Sequence, residues 1–382
     1  MERSSSSEWS PTGGPGPVLR SFGMTLFRTA IKLALPLPIV AMVSCAETSA
    51  PLPPPEEVVV VLNTTAATLS LVPVAAPSQV STVPLGASDV QPVSVTTRGA
   101  TAVVPLRGRD AIAVVDLREG MLVNTIHLAP GSGVSGAALV SDSIAYVSNA
   151  NLNTVTRVDL ATGDTASVAV GATPQHVTFT RGRVLVMNAN LDSLGKPDGE
   201  SSISVIDPAI SSAAGPIGTI QLFGPGHARF STVAGDGLLY VIQEGDPSVD
   251  EGRLSIVDPV DRREVASFGG FGFGPGDLTA DGGDRLLISS RTEGLMEFDS
   301  AERTVVRGEG DGVLIPGNSG VAVDSQGRIY ALEAGCSGNG ILHVLRPDYS
   351  EIRFVPVGQC ASQALLARVP AAGVEPTDEP AF

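Results

Sequence analysis

Tyr146-Val147-Ser148-Asn149, a short loop, then Val155-Thr156-Arg157-Val158-Asp159 is the stretch that decides the fold. Each half alternates as a half-buried strand should, and the gap suits a tight hairpin. The second half recurs as Ala113-Val114-Val115-Asp116, Ser204-Val205-Ile206-Asp207, Ser255-Ile256-Val257-Asp258 and Met296-Glu297-Phe298-Asp299. Two degenerate copies flank these: Ser70-Leu71-Val72-Pro73, with Pro in place of Asp, and His343-Val344-Leu345-Arg346, with Arg there. Successive copies step by 43, 43, 48, 51, 41 and 47 residues. That is the length of a four-stranded propeller blade. Seven copies give an all-β, seven-bladed β-propeller. The five repeated Asp residues are expected to end the third strand of a blade and accept backbone N–H groups in the next turn. A catalytic role would have to recur around the whole ring.

Two of these stretches resemble known repeats. Tyr146-Val147-Ser148-Asn149 followed ten residues later by Asp159 is similar to the YVTN-type repeat, and Gly320-Val321-Ala322-Val323-Asp324-Ser325-Gln326-Gly327-Arg328-Ile329-Tyr330 resembles an NHL-type repeat. The resemblance spans residues 58–369. It implies a fold and an association with cell surfaces and envelopes, and it implies no single activity.

The chain opens on a targeting pattern. Residues 1–23 are Ser-, Gly- and Pro-rich, and Met24 is the expected start. Arg28 and Lys32 form a basic region, 33–44 is apolar and too short to span a bilayer, and Cys45 follows Met42-Val43-Ser44. The small residue before Cys45 resembles the lipobox of bacterial lipoproteins, with Met42 where that family usually has Leu. The resemblance implies removal of residues before Cys45 and its lipidation. An ordinary signal peptide with an incidental Cys45 is the other reading. The expected organisation is a signal over 1–45, a Pro-rich tether over 46–57, the propeller over 58–369 and an acidic tail over 370–382. The expected location is the bacterial envelope, through an N-terminal lipid.

Blade one lacks an inner strand at its N-terminal side, since Val58-Val59-Val60-Val61-Leu62-Asn63 matches a second strand. Ala364–Val369 is therefore expected to complete it, removing two open sheet edges. Cys336 and Cys360 fall in loops that a four-stranded meander sends to one face. An oxidising envelope would join them in a disulfide, the alternative being two free buried thiols.

Net charge is −16, which excludes nucleic acid as a partner because a phosphate backbone needs a basic face. The chain has 43 Gly, 29 Pro and only 4% aromatic residues, which suits many short strands and turns. Lys32 and Lys196 are the only lysines.

Loops leading into the inner strands repeat Pro, one residue, then a polar residue. The third residues, Ser132, His176, His227, Asp277 and Asn318, form a candidate ring at the channel mouth. His176, His227, Asp277 and Asn318 are donors suited to a divalent metal. Gluconolactonase-type propellers hold a metal in a comparable place, with a carboxylate-and-Asn set not matched here residue by residue. The bland reading is polar lining of a wet channel. The loop from Asn188 to Asp207 is nine residues longer than that from Asn149 to Asp159. It carries Asp192, Asp198 and Glu200, and blade five adds Glu244 and Asp246. These carboxylates are candidate ligand-binding residues, without EF-hand spacing. No Gly-x-Ser-x-Gly, His-Glu-x-x-His or phosphate-binding Gly-rich loop occurs. The expected function is an envelope-anchored binding or interaction module with an envelope protein or glycan as partner. The alternative is a metal-dependent, lactonase-like hydrolase.

Overall fold

The repeat reads out as a ring of blades. The computed structural model describes residues 53–210, 215–246 and 248–371. Cys45 and the signal pattern lie outside the described residues, as does the tail from 372 onward.

Blade one begins with β1 (Glu56–Asn63), β2 (Thr68–Pro73) and β3 (Ser81–Pro84). Blade two is β4 (Thr96–Arg98), β5 (Thr101–Leu106), β6 (Ala111–Asp116) and β7 (Met121–His127). Blade three is β8 (Val134–Leu139), β9 (Ile144–Asn149), β10 (Thr154–Asp159) and β11 (Thr165–Ala169). Blade four is β12 (Pro174–Thr180), β13 (Arg183–Asn188), β14 (Ser202–Ile206) and β15 (Gly218–Gln221). Blade five is β16 (Ala228–Val233), β17 (Leu239–Gln243), β18 (Arg253–Asp258) and β19 (Arg263–Phe268). Blade six is β20 (Pro275–Ala280), β21 (Arg285–Ser290), β22 (Gly294–Asp299) and β23 (Thr304–Arg307). Blade seven is β24 (Asn318–Val323), β25 (Ile329–Glu333), β26 (Asn339–Leu345) and β27 (Glu351–Gln359). Each is a four-stranded antiparallel meander, and β28 (Ala361–Val369) completes blade one in the order β28-β1-β2-β3. The closing register places Val58 opposite Ala367 and Leu62 opposite Gln363. The first strand thus starts at Glu56, two residues ahead of the run that marks it in the sequence.

The apolar interior is seven clusters, each wedged between two neighbouring blades. β1 shows why its sequence is an unbroken apolar run. Val58, Val60 and Leu62 pack toward blade two, while Val59 and Val61 pack toward blade seven. Alternation in a middle strand therefore chooses between two buried interfaces, and not between core and water. Half-burial, expected for β9 and β10, applies to neither: Val147 packs toward blade two and Tyr146 toward blade four.

Polar residues of the repeat hold each blade's edges. Asp159 Oδ1 accepts the N–H groups of Ala161 and Thr162 at 3.0 and 3.1 Å. Asp116, Asp207, Asp258 and Asp299 cap the same turn in their blades. Asn149 Nδ2 donates to the hydroxyls of Thr154 (2.9 Å) and Thr156 (2.7 Å), tying β9 to β10. Asn63 and Asn188 repeat the tie with Thr68 and Ser70, and with Ser202 and Ser204. At the seam a Cβ on Gly358 would sit 2.6 Å from the Asn63 amide carbon, so that close approach requires glycine.

Candidate functional site

In each blade the loops into the inner strand and between the second and third strands reach one face. There they enclose a cavity of about 950 Å³ at the channel mouth. Its wall takes residues from all seven blades, because inner strands converge on the ring axis.

The pairing register shows which residues face it. In six blades the inner strand opens with a shift in pairing at its first residues: Val134/Ala137, Pro174/His176, Ala228/Phe230, Pro275/Leu278, Asn318/Gly320 and Ala361/Gln363. Aligned on the partner at the end of the second strand, the equivalent openings are Pro92, Val134, Pro174, Ala228, Pro275, Asn318 and Ala361. The next residue in every blade lines the cavity: Val93, Ser135, Gln175, Arg229, Gly276, Ser319 and Ser362.

This register corrects the Pro-anchored ring. Pro174 and Pro275 open strands, whereas Pro130, Pro225 and Pro316 lie in the preceding turns, so the third residue is not one structural position. A shift of one residue sends a side chain to the opposite face. Ser132 turns away and donates to Asp110 Oδ1 at 3.0 Å. His176 does line the cavity, tilted against Phe230 with ring centroids 6.0 Å apart. Burial pushes its imidazole down to about 4, so it is neutral at physiological pH. His227 Nδ1 lies 3.2 Å from Glu244 Oε2, and burial lowers its basicity while Glu244 opposes that. Asp277 is buried, its Oδ2 3.4 Å from the Ala364 N–H, and desolvation raises its carboxyl to about 7. Asn318 is fully buried and donates to Gly294 O at 3.1 Å, leaving Oδ1 without a partner. Among the described residues no three His, Cys, Asp or Glu side chains gather to hold a metal ion. Of the set His176, His227, Asp277 and Asn318, His176 and Asn318 line the cavity, while His227 faces Glu244 and Asp277 faces the Ala364 N–H.

The acidic loops are tied largely within themselves and to each other. Asp192 Oδ1 accepts the N–H groups of Leu194 (2.8 Å) and Lys196 (2.9 Å) in its own turn. Lys196 Nζ reaches Asp246 Oδ2 at 3.1 Å, joining the loops of blades four and five. The Ser248 hydroxyl and N–H with Lys196 hold the Asp246 carboxyl down at about 2. Asp198 and Glu200 present backbone carbonyls to Asn190 Nδ2, at 2.8 and 3.3 Å. Glu244 alone of the five lines the cavity, with Arg229 Nη1 2.6 Å from its Oε1.

Sequence reasoning missed Arg107, Arg229 and Arg291, all cavity-lining. Aligning blades on the polar ends of their second strands, such as Asn63, Asn149, Asn188 and Gln243, would have found Arg229. The Cys336–Cys360 disulfide forms as expected, with Cα atoms 4.0 Å apart, and both residues sit in the cavity wall.

No family model matches the sequence, and no curated protein matches it. Solved structures match the fold. A functionally unknown protein from Desulfotomaculum acetoxidans superposes with TM-score 0.61 at 11% identity, covering 82% of this chain and 99% of its own. Hydrazine synthase from Kuenenia stuttgartiensis gives 0.57 at 15% identity, covering 73% and 90%. A catalytically inactive virginiamycin B lyase from Staphylococcus aureus with quinupristin gives 0.56 at 13%, covering 70% and 85%. At such identities the likeness is one of fold: this chain is a seven-bladed β-propeller.

Proposed function

We propose that the chain is an envelope lipoprotein, anchored through Cys45, whose propeller binds a small ligand at the channel mouth on the disulfide face. The observation that carries this reading is the cavity of about 950 Å³ with a wall drawn from every blade. Concave sites of that size, made of apolar walls and a few convergent polar groups, are where proteins take small molecules. The tie from Asn149 to Thr154 and Thr156 supports the YVTN-type assignment. Asp324, accepting from Tyr330 Oη at 3.0 Å and Arg328 Nε at 2.6 Å, supports the NHL-type one. Two neighbours are enzymes by name, but their likeness extends to the fold alone. A lactonase-like metal site would need His176, His227 and Asp277 to converge on one ion, and among the described residues no three such side chains gather.

Gln175→Trp is the test. Gln175 lines the cavity and its side chain makes no hydrogen bond among the described residues, so an indole there fills the mouth without breaking a hydrogen bond. Protein equilibrated with envelope small molecules and desalted should retain specific compounds in mass spectra, and Gln175→Trp should retain none. Identical retention by both would refute the channel as the site.

A further inference from the structure

The charged lining of the cavity is lopsided. Arg107, Arg229 and Arg291 face it, with Glu244 as the carboxylate. Glu244 is committed to Arg229 at 2.6 Å. Arg107 donates Nε to Val134 O at 3.3 Å, and among the described residues its remaining N–H groups and all those of Arg291 have no protein acceptor. The chain has 40 acidic residues for 24 Lys and Arg, so carboxylates were available to neutralise both. Arg107 is solvent-exposed at the cavity rim, yet partial desolvation by the surrounding protein and the Arg229 charge both work against its own. A guanidinium cannot relieve that strain by losing its proton. A bound anion would relieve it, and its forked donors match the two oxygens of an oxyanion. Phe230 and Phe273 line the same cavity with apolar surface.

We propose that the cavity takes a small organic oxyanion, a carboxylate or phosphate on an apolar body, with Arg107 and Arg291 as its charge partners and the two phenylalanines against its body. This rests on the channel mouth being the binding site. Neutral His176 adds no charge at physiological pH, so the two unpaired arginines set the sign of the ligand. The site is a cationic recess in an acidic protein. Its attraction acts at short range and weakens as salt screens it.

The test uses the full chain in detergent with its disulfide intact. Phenyl phosphate, benzoate and the neutral benzyl alcohol are titrated by calorimetry and ligand-observed NMR. Both anions should bind, less tightly as salt is added, and benzyl alcohol should not. Arg107→Gln and Arg291→Gln should each raise Kd by ~10- to 100-fold, the usual worth of a charge-assisted hydrogen bond, with unchanged melting temperature for Arg291→Gln, which breaks no hydrogen bond among the described residues. Gln175→Trp should abolish binding. The proposal falls if no anion binds, if benzyl alcohol binds as tightly, or if both arginine variants bind anions as the parent does. It falls alone if Gln175→Trp still removes the compounds retained from envelope extract and these prove neutral or cationic. If Gln175→Trp removes nothing, the channel reading itself has failed.

Discussion

Replacing Cys336 and Cys360 together by Ser tests how the ring is held shut. The bridge spans 24 residues and lies at the seam, directly before β28, the strand that completes blade one. Cross-linking a loop of that length removes about 12 cal/mol/K of entropy from the unfolded chain, which is about 3.5 kcal/mol at 25 °C. The ring from Glu56 to Val369 is roughly 310 residues, and unfolding entropy near 2.1 cal/mol/K per residue gives about 0.65 kcal/mol/K. The double variant should therefore melt about 5 °C lower. It should still fold, because Ala361, Ala364, Ala367 and Val369 remain buried against neighbouring strands. Calorimetry of parent, double variant and reduced parent measures the shift, and the last two should coincide. Thiol labelling of the unreduced, denatured parent should find neither Cys336 nor Cys360 reactive. A double variant that melts within a degree of the parent would refute the argument, as would two reactive thiols.

Cys45→Ala should move the protein from the membrane fraction to the soluble fraction, and unchanged sedimentation with membranes would end the lipoprotein reading. Asp277 should make stability fall as pH rises. Its carboxyl is raised to about 7 in the fold, against ~3.9 unfolded, so the folded state holds the extra proton between those values and loses that advantage as pH climbs through the window. Three pH units correspond to roughly 4 kcal/mol, and Asp277→Asn should flatten the slope and be more stable than the parent at pH 8; denaturant titrations at pH 4 and pH 8 check this. Asn149→Ala should cost about 1–3 kcal/mol, since it removes the amide donor shared by the Thr154 and Thr156 hydroxyls and leaves Thr156 with Ser167 alone, and a chemical-denaturation midpoint equal to the parent's would contradict that role. Gly358→Ala should destabilise through its clash with Asn63, and pairing it with Asn63→Ala should recover part of the loss.

Much of the architecture is local and was therefore legible. The five Asp turns, the strand pairs they end and the count of blades all depend on residues within one repeat. Closure was legible because an unpaired second strand at one end and a surplus inner strand at the other have only each other to satisfy their edges. The disulfide followed from that closure, since it lies at the same seam. The channel wall was not legible in the same way. Whether a residue such as Asp277 or Arg229 faces the axis depends on a one-residue shift at the start of each inner strand. That shift is set by pairing with the second strand, which the proline spacing does not record. The charge of the cavity was hidden for the same reason. Arg107, Arg229 and Arg291 are scattered over nearly two hundred positions of an acidic chain, and only the closing of seven blades around one axis brings them into a single recess.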